Sequence, residues 1–214
     1  MTKTGTLRWL GLAVGAMLVA GTAGGAPAKV GERAYAAVDP FIGTGGEGHT
    51  YPGATVPFGM VQLSPDTRIQ PREKAYGWAA GYRHDDSSIV GFSHTHFSGS
   101  GHSDLGDVLV MPFTGDPGLE RGDPDKPKSG YASRFHHDNE KAEPGYYAVT
   151  LDDYNVRAEL TASARTGVHR YSYPKGEKAR VLLDLRTSLY GYPGKVLWSR
   201  LRLQPDGTVT GFPE

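Results

Sequence analysis

Residues 156–164 alternate between apolar and polar side chains without a break, and this pattern constrains the fold more than any other feature of the chain. The apolar positions are Val156, Ala158, Leu160 and Ala162. Successive side chains of a β-strand point to opposite faces of the sheet, so these four share one face. The pattern therefore predicts a strand that packs one face against a core and exposes the other.

Further strand patterns recur at short intervals. They cover residues 108–113, 145–151, 166–173, 180–185 and 196–203, and Asp206-Gly207 predicts a hairpin turn before a strand at 208–210. Regularly spaced strands with polar turns predict an all-β fold, an antiparallel β-sandwich. Beyond the leader segment, no run has the periodicity of a helix. The sequence ends just after the hairpin signal, which predicts a sheet that continues past residue 214.

Two regions have a more irregular composition. Residues 38–107 are rich in Gly, Pro, Ser, His and aromatic residues, and they are predicted to be mainly loops. Residues 115–139 combine Pro, Asp, Lys and His and predict a long surface loop. The strands are therefore expected from residue 108 onward.

The first 28 residues predict a secretory signal peptide. Lys3 and Arg8 precede an apolar run at 9–20 that is short for a membrane span, and Ala26-Pro27-Ala28 offers a cleavage site with small side chains. An uncleaved anchor is the alternative. The predicted domains are a signal peptide at 1–28 and one β-sandwich domain at 29–214, in a secreted or periplasmic protein.

Composition limits the partners. The chain has no cysteine, which excludes a lipoprotein anchor and means that packing rather than disulfides holds the exported domain. Its 23 Lys and Arg balance 23 Asp and Glu. A chain without net charge has no field that attracts nucleic acid or an anionic membrane. We therefore expect no nucleic acid partner and, after signal cleavage, no membrane partner.

The run GFSHTHFSGSGHSDLGD at 91–107 has the composition of a binding loop. Glycines add no apolar area and are costly to order, so the run is expected to bury little. Glycines also let the backbone approach a ligand closely, while histidine, aspartate and serine side chains supply hydrogen-bonding groups.

His94 and His96 form the sharpest local pattern in that run. If the segment is extended, residues two apart point to the same face and the two imidazoles converge. Such a pair, completed by Asp104 or Asp107, would be a metal site. Alternatively, the histidines are hydrogen-bonded within an ordered loop.

A second glycine-rich run, GTGGEGHTYPGATVPFG, occupies 43–59. It lacks the Gly-Lys-Ser/Thr ending of a phosphate-binding loop. Gly45 and Gly46 are candidates for close backbone approach to a polar ligand, although an irregular turn at the domain edge has the same composition.

Trp78 lies among small residues in YGWAAGY at 76–82. Small neighbours leave a ring face uncovered, and such a face suits the C–H surface of a sugar, although a buried core tryptophan is the alternative. Carboxylates near these runs include Glu47, Asp66 and Asp85, but nothing in the sequence selects the pair that sugar hydrolysis requires.

Six segments together resemble one family. They are VDPFIGTGG (38–46), TYPGATVPFGMVQLSPDTR (50–68), GWAAGY (77–82), IVGFSHTHFSGSGHSDLGDVLVMP (89–112), RFHHDNEKAEPGYYAVTL (134–151) and ELTASARTGVHRY (159–171). In this order they resemble the N-terminal β-sandwich domain of glycoside hydrolase family 92, the calcium-dependent exo-α-mannosidases. The resemblance covers essentially all of the chain after the leader.

The resemblance implies an active site that this chain shares with another domain. Family members place the sandwich before a helical (α/α)6 domain, with the active site in the cleft between them. They remove terminal α-mannose, often α-1,2-linked, with inversion. Both catalytic carboxylates and most of the calcium environment belong to the helical domain. The resemblance therefore implies no catalytic residue and no metal ligand in this chain, which alone should be inactive.

The resemblance also selects substrate-binding candidates. Trp78 looks like the family's sugar-contacting aromatic residue. Gly45, Gly46, Asp66, His94 and His96 are expected to line the same face of the cleft, against a mannose-containing glycan.

Two other functions stay open on the sequence alone. One is a free-standing carbohydrate-binding module that uses aromatic stacking. The other is a small metalloprotein that uses His94, His96 and a nearby aspartate.

Overall fold

The computed structural model describes residues 29–67, 80–99, 105–123, 126, 128–186, 188–189 and 196–213. The predicted signal peptide and Trp78 lie outside these residues. The described chain contains one helix, α1 (Val30–Ala36), and a 3-10 turn at His137–Asn139. Its strands are β1 (Ala54–Thr55), β2 (Gln62–Asp66), β3 (Ser88–Ile89), β4 (Gly91–Ser93), β5 (Leu109–Phe113), β6 (Ser133–Arg134), β7 (Lys141–Glu143), β8 (Tyr146–Leu151), β9 (Val156–Ala162), β10 (Gly167–Ser172), β11 (Arg180–Asp184), β12 (Ser199–Leu203) and β13 (Val209–Pro213).

Two antiparallel sheets form the body of the described chain. One has the strand order β1-β2-β4-β5-β11 and the other has the order β10-β9-β8-β7. Two short ladders, β3 with β6 and β12 with β13, complete the arrangement. The prediction of an all-β, antiparallel β-sandwich is confirmed.

Strand β9 forms as its alternation predicts. Val156, Ala158 and Leu160 are at most 1% exposed, while the side chains between them reach toward solvent. They pack in one apolar cluster with Leu63 and Phe92 of the five-stranded sheet. Burial of such side chains contributes roughly 1.5–3 kcal/mol each for the larger ones, and it holds the two sheets together.

The region 38–107 differs from its prediction as loops. It supplies β2 and β4, which lie in the middle of the five-stranded sheet, and all three residues of β4 are buried. The expectation that the run 91–107 buries little is therefore wrong at its start. A strand buried on both faces has no polar alternation, and β2 and β4 carry small and polar residues where long apolar runs are usual. The sequence pattern therefore did not predict β2 and β4 as strands.

Two smaller features were also missed. Helix α1 is only seven residues long, too short for a helical period to stand out. The backbone N–H of Lys29 donates to Glu32 at its start. The predicted loop at 115–139 contains β6 and the 3-10 turn.

The hairpin of β12 and β13 is largely exposed. It follows the predicted Asp206-Gly207 turn, where the Thr208 N–H donates to the Asp206 carboxylate at 2.9 Å. Every residue of β12 is exposed, and β12 pairs with β13 alone among the described strands. No helix in the described part of the chain is long and apolar enough to cross a membrane.

Replacement of Gly91 by alanine is expected to destabilise the sheet. A Cβ atom there would lie 2.7–2.9 Å from three atoms of the buried Leu109 side chain. Overpacking of this kind costs about 1–3 kcal/mol of unfolding free energy. Chemical denaturation measures it, with Gly31→Ala in α1 as the control, since a Cβ atom there meets nothing within 4 Å. Equal effects of the two substitutions would contradict the packing argument.

Candidate functional site

Three loop segments are joined to one another by backbone hydrogen bonds. We call residues 43–50, 80–86 and 94–99 together the loop face. The His84 N–H donates to the Thr44 carbonyl at 2.9 Å, and the Gly99 N–H donates to the His49 carbonyl at 2.7 Å. Backbone hydrogen bonds thus join the second segment and the third segment to the first.

The predicted residues Gly45 and Gly46 lie on this loop face. Gly46 is exposed with a φ of +56°, and a Cβ atom there would meet nothing within 4 Å. The nearest atom to a Cβ at Gly45 would be the His84 Cβ at 3.8 Å. Both positions therefore leave backbone open to approach, as the composition of the run predicts.

His96 and Asp66 form a buried pair beneath the loop face. His96 Nε2 lies 2.8 Å from Asp66 Oδ1, and the two side chains are 0% and 1% exposed. The other ring nitrogen, Nδ1, donates to the Gln62 carbonyl at 2.7 Å. Ser93 Oγ lies 3.2 Å from Nε2. The imidazole therefore connects the third loop segment to both ends of β2 and to the end of β4.

The partners of His96 fix where its protons lie. The Gln62 carbonyl can only accept, so Nδ1 carries a proton. Nε2 faces a carboxylate oxygen, so a second proton lies between the ring and Asp66. The pair is then an imidazolium beside a carboxylate, or a neutral imidazole beside a carboxylic acid. In either form the two side chains share one proton and support the loop face from below.

Gly81 covers this pair so closely that no other residue fits. Its φ is +75°, and a Cβ atom there would lie 2.2 Å from Asp66 Oδ1 and 2.8 Å from the His96 ring. Asp66 Oδ2 is buried and has no hydrogen-bond partner in the described chain. The Thr67 N–H donates to the Gly81 carbonyl at 3.0 Å, which holds Gly81 against the end of β2.

His94 takes a different direction from His96. Strand β4 ends at Ser93, so the extended geometry needed for convergence of the two imidazoles is not present. His94 Nδ1 lies 2.9 Å from the Val108 carbonyl, and its Nε2 lies 3.0 Å from Nε2 of His169 in β10. His94 therefore links the five-stranded sheet to the four-stranded sheet.

A chain of hydrogen bonds runs through this second histidine pair. His94 donates from Nδ1 to the Val108 carbonyl, so its Nε2 accepts a hydrogen bond from the Nε2–H of His169. Nδ1 of His169 then accepts from the Tyr171 hydroxyl at 2.7 Å. Each donor meets one acceptor only while both imidazoles are neutral.

The pKa values agree with this assignment. Burial lowers the pKa of His94, and burial together with the neighbouring His94 lowers the pKa of His169 to about 4. Burial raises the pKa of Tyr171, which keeps its hydroxyl proton in place as a donor. At neutral pH the pair is therefore an uncharged connection between the sheets.

Neither histidine pair forms a conventional metal site. No group of three or more His, Cys, Asp or Glu side chains gathers among the described residues. Asp107, a predicted third ligand, instead accepts a hydrogen bond from Thr95 Oγ1 at 2.8 Å. Calcium takes six to eight oxygen ligands, a donor set that the described chain does not assemble. Asp104 lies outside the described residues.

An open groove borders the loop face. It has a volume of about 660 Å³, and Tyr51, Thr55, Phe58, Gln62, His96 and Phe97 contribute to its lining. The Tyr51 and His96 rings lie 5.3 Å apart. Sequence reasoning singled out none of these residues except His96.

His169 and Tyr171 were also missed. They lie on the inward face of β10, where the burial pattern alternates with every residue. A polar histidine on the inward side of an alternating strand was the available signal. The predicted roles of Asp66, His94 and His96 in glycan binding stay predictions, as does the role of Trp78.

The sequence of the described sheets and loops matches a known family. Residues 37–214 match the model of the glycosyl hydrolase family 92 N-terminal domain. The chain belongs to glycosyl hydrolase family 92. The resemblance inferred from the sequence motifs is thereby confirmed.

Solved members of family 92 have the same fold. A family 92 α-mannosidase from Bacteroides thetaiotaomicron, solved alone and with mannoimidazole, is 45% and 44% identical, with TM-scores of 0.76 and 0.75 over 82% of this chain. An inverting family 92 mannosidase from the same organism is 30% identical over 69% of the chain, with a TM-score of 0.53. An uncharacterized secreted glycosidase of Arthroderma benhamiae is 30% identical over 158 residues.

The chain spans only about a fifth of the length of these family 92 relatives. It covers 22–23% of the first α-mannosidase and 19% of the fungal protein. The relatives therefore contain most of their mass outside the part matched here.

Removal of the Asp66 side chain is expected to destabilise the domain. Asp66→Ala should lower the unfolding free energy by roughly 3 kcal/mol, because it leaves the buried His96 ring without its carboxylate partner. Asp66→Asn should cost less, because its amide can donate to a neutral His96. Urea denaturation measures both losses.

Asp85 provides the control for that prediction. Its carboxylate is 66% exposed and lies 3.4 Å from Arg83, so Asp85→Ala should cost less than about 1 kcal/mol. Equal losses at Asp66 and Asp85 would contradict the importance of the buried pair.

Protonation of the second histidine pair, His94 and His169, should lower the unfolding free energy of the domain in acid. Since His169 has a pKa of about 4 in the folded chain against 6.5 ordinarily, the unfolded chain binds protons first as the pH falls. The contribution of neutral His169 to the unfolding free energy is complete above pH 6.5. It is lost as the pH falls toward 4, by up to about 3 kcal/mol.

His169→Gln tests this origin of the pH dependence. The variant should lose less unfolding free energy than the wild type between pH 7 and pH 4.5, measured by urea denaturation. His84→Gln, at an exposed histidine, should retain the wild-type difference. A His169→Gln variant with an unchanged difference would show that other groups cause the acid sensitivity.

Proposed function

We propose that the chain forms one wall of the active-site cleft of a secreted or periplasmic α-mannosidase. The enzyme would remove terminal mannose, often α-1,2-linked, from glycans with inversion. The observation that carries the proposal is the 44% identity, over 82% of the chain, to a family 92 α-mannosidase solved with mannoimidazole.

The loop face supports this assignment. Gly45 and Gly46 leave backbone open to approach, and the buried His96–Asp66 pair holds the neighbouring segment in place. A preorganised surface of this kind loses little entropy when it binds a sugar. The chain would therefore contribute binding and orientation of the glycan, with Trp78 as its stacking residue.

Catalysis would depend on a second domain. Inversion requires an acid and a base about 6.5–9.5 Å apart, so that water fits between them and the sugar. We propose that both carboxylates and most calcium ligands belong to a helical domain, and that calcium there polarises the bound mannose. The chain alone should not hydrolyse mannosides.

The exposed hairpin suggests where that domain packs. Leu201, Leu203 and Val209 share one face of the β12–β13 ladder and are 45–73% exposed. A two-stranded hairpin is marginally stable without a partner, and exposed apolar faces of this kind mark contact surfaces. We propose that the helical domain covers this face, so the isolated chain should self-associate.

A chimera tests the proposed function. Residues 29–214 would replace the matching segment of the 45% identical Bacteroides thetaiotaomicron α-mannosidase. The chimera should hydrolyse α-1,2-mannobiose, and Trp78→Ala in it should lower kcat/KM by roughly tenfold or more, since a lost ring contact of 1.4 kcal/mol is tenfold. Tyr35→Ala, at a half-exposed ring on α1, is the aromatic control and should have little effect.

Two results would contradict the proposal. A folded chimera without mannosidase activity would argue against this chain as a mannosidase wall. An active chimera with equal kinetics for Trp78→Ala and the unmodified protein would remove Trp78 from the site.

A further inference from the structure

Phe58 occupies an unfavourable backbone position with its ring wholly in solvent. The Gly59 N–H donates to the Val56 carbonyl at 2.9 Å, which closes a turn with Phe58 in the third position. Its φ is +60°, and a positive φ at this position favours glycine or asparagine. The side chain is fully exposed, at 106% of the reference value. Within the described chain the ring gains no packing that offsets the strain.

The turn that carries Phe58 is nevertheless held firmly. Gln62 Nε2 donates to the Gly59 carbonyl at 2.8 Å, and Gln62 Oε1 accepts from the His96 N–H. On the other side, the Met60 N–H donates to the Ala164 carbonyl at 2.7 Å. The Phe58 ring is therefore presented to solvent by an anchored turn, and strain at an anchored, exposed position points to a functional contact.

The groove beside Phe58 has a mixed lining. Rings of Tyr51 and Phe97 face it together with the polar side chains of Thr55 and Gln62. Its volume of about 660 Å³ lies within the 300–1,000 Å³ range of small-molecule sites. Its lining contains no Lys or Arg, and its one carboxylate, Glu143, is paired with Lys141 at 2.8 Å.

This chemistry selects a neutral ligand that has both apolar faces and hydroxyl groups. A phosphate or an acidic group would find no Lys or Arg side chain in the lining. A pyranoside can place a C–H face on Phe58 while its hydroxyls reach Thr55 and Glu143. His96, which supports the loop face from below, also lines this groove.

We propose that the groove lined by Tyr51, Phe58 and Phe97 binds a mannosyl unit of the glycan, with Phe58 as its stacking platform. This inference rests on the proposed function and assigns a second aromatic contact besides Trp78. Phe58 is then held at positive φ because that backbone position aims its ring at the sugar.

The test separates binding from stability in the 214-residue chain. Saturation-transfer NMR with methyl α-mannopyranoside and α-1,2-mannobiose gives the Kd, and thermal unfolding gives Tm. Phe58→Gly should weaken binding of the disaccharide roughly three- to tenfold, while Tm stays the same or rises by a degree or two. A glycine relieves the positive φ, which offsets its greater freedom in the unfolded chain.

Lys128→Gly is the matched control. Lys128 is also exposed at a positive φ, +61°, and lies outside the groove. It should show the same small change in Tm and an unchanged Kd. This pair of variants separates relief of backbone strain from loss of the ring.

Three results would overturn the proposal. The first is no binding of either sugar at tens of millimolar, and the second is an unchanged Kd for Phe58→Gly. The third is a fall of several degrees in Tm for Phe58→Gly alone, which would show that the ring packs against polypeptide. If the chimera were active and any of these results were found, the proposed function would stand. Only the sugar-binding role of the groove would be wrong.

Discussion

The contact between His96 and Asp66 holds the loop face on the five-stranded sheet. The imidazole lies between both ends of β2 and the end of β4, and its two ring nitrogens are engaged by the Gln62 carbonyl and the Asp66 carboxylate. Gly81 packs on the same pair with no space for a side chain. Because a buried pair of this kind is costly to break, it helps the loop segments around it to keep a defined shape.

A second polar contact joins the two sheets. His94 and His169 meet in neutral form between β4 and β10, beside the apolar cluster that does most of the packing. The two histidine pairs differ in the protons that they hold. The His96 ring shares a proton with the Asp66 carboxylate, whereas burial lowers the pKa of both His94 and His169, so acid should weaken the junction of the sheets.

The sequence predicted what depends on alternation and on motifs. Strand β9, its neighbours β8 and β10, and the hairpin turn at Asp206-Gly207 follow local patterns, and each was found where expected. Strands β2 and β4 escaped because both faces are buried and polar residues such as Asp66 and Ser93 occupy positions that long apolar runs usually fill.

Long-range contacts explain what the sequence could not show at the candidate site. The partners of His94 and His96 include residues 30 to 75 positions away in the chain, namely Asp66, Gln62 and His169. The spacing of two residues between His94 and His96 predicted that their imidazoles converge, but strand β4 ends at Ser93, before either histidine. Phe58 has no distinguishing local pattern at all, since only the backbone geometry shows that a bulky ring stands where glycine is favoured.

We propose that the glycan lies against the loop face of this chain. A crystal structure of the chimera with mannoimidazole tests it directly. We expect the inhibitor, or the sugar units extending from it in a longer glycan, to lie within van der Waals distance of residues in segments 43–50, 80–86 or 94–99. An inhibitor and glycan held entirely by the other domain, with solvent between them and these segments, would contradict it.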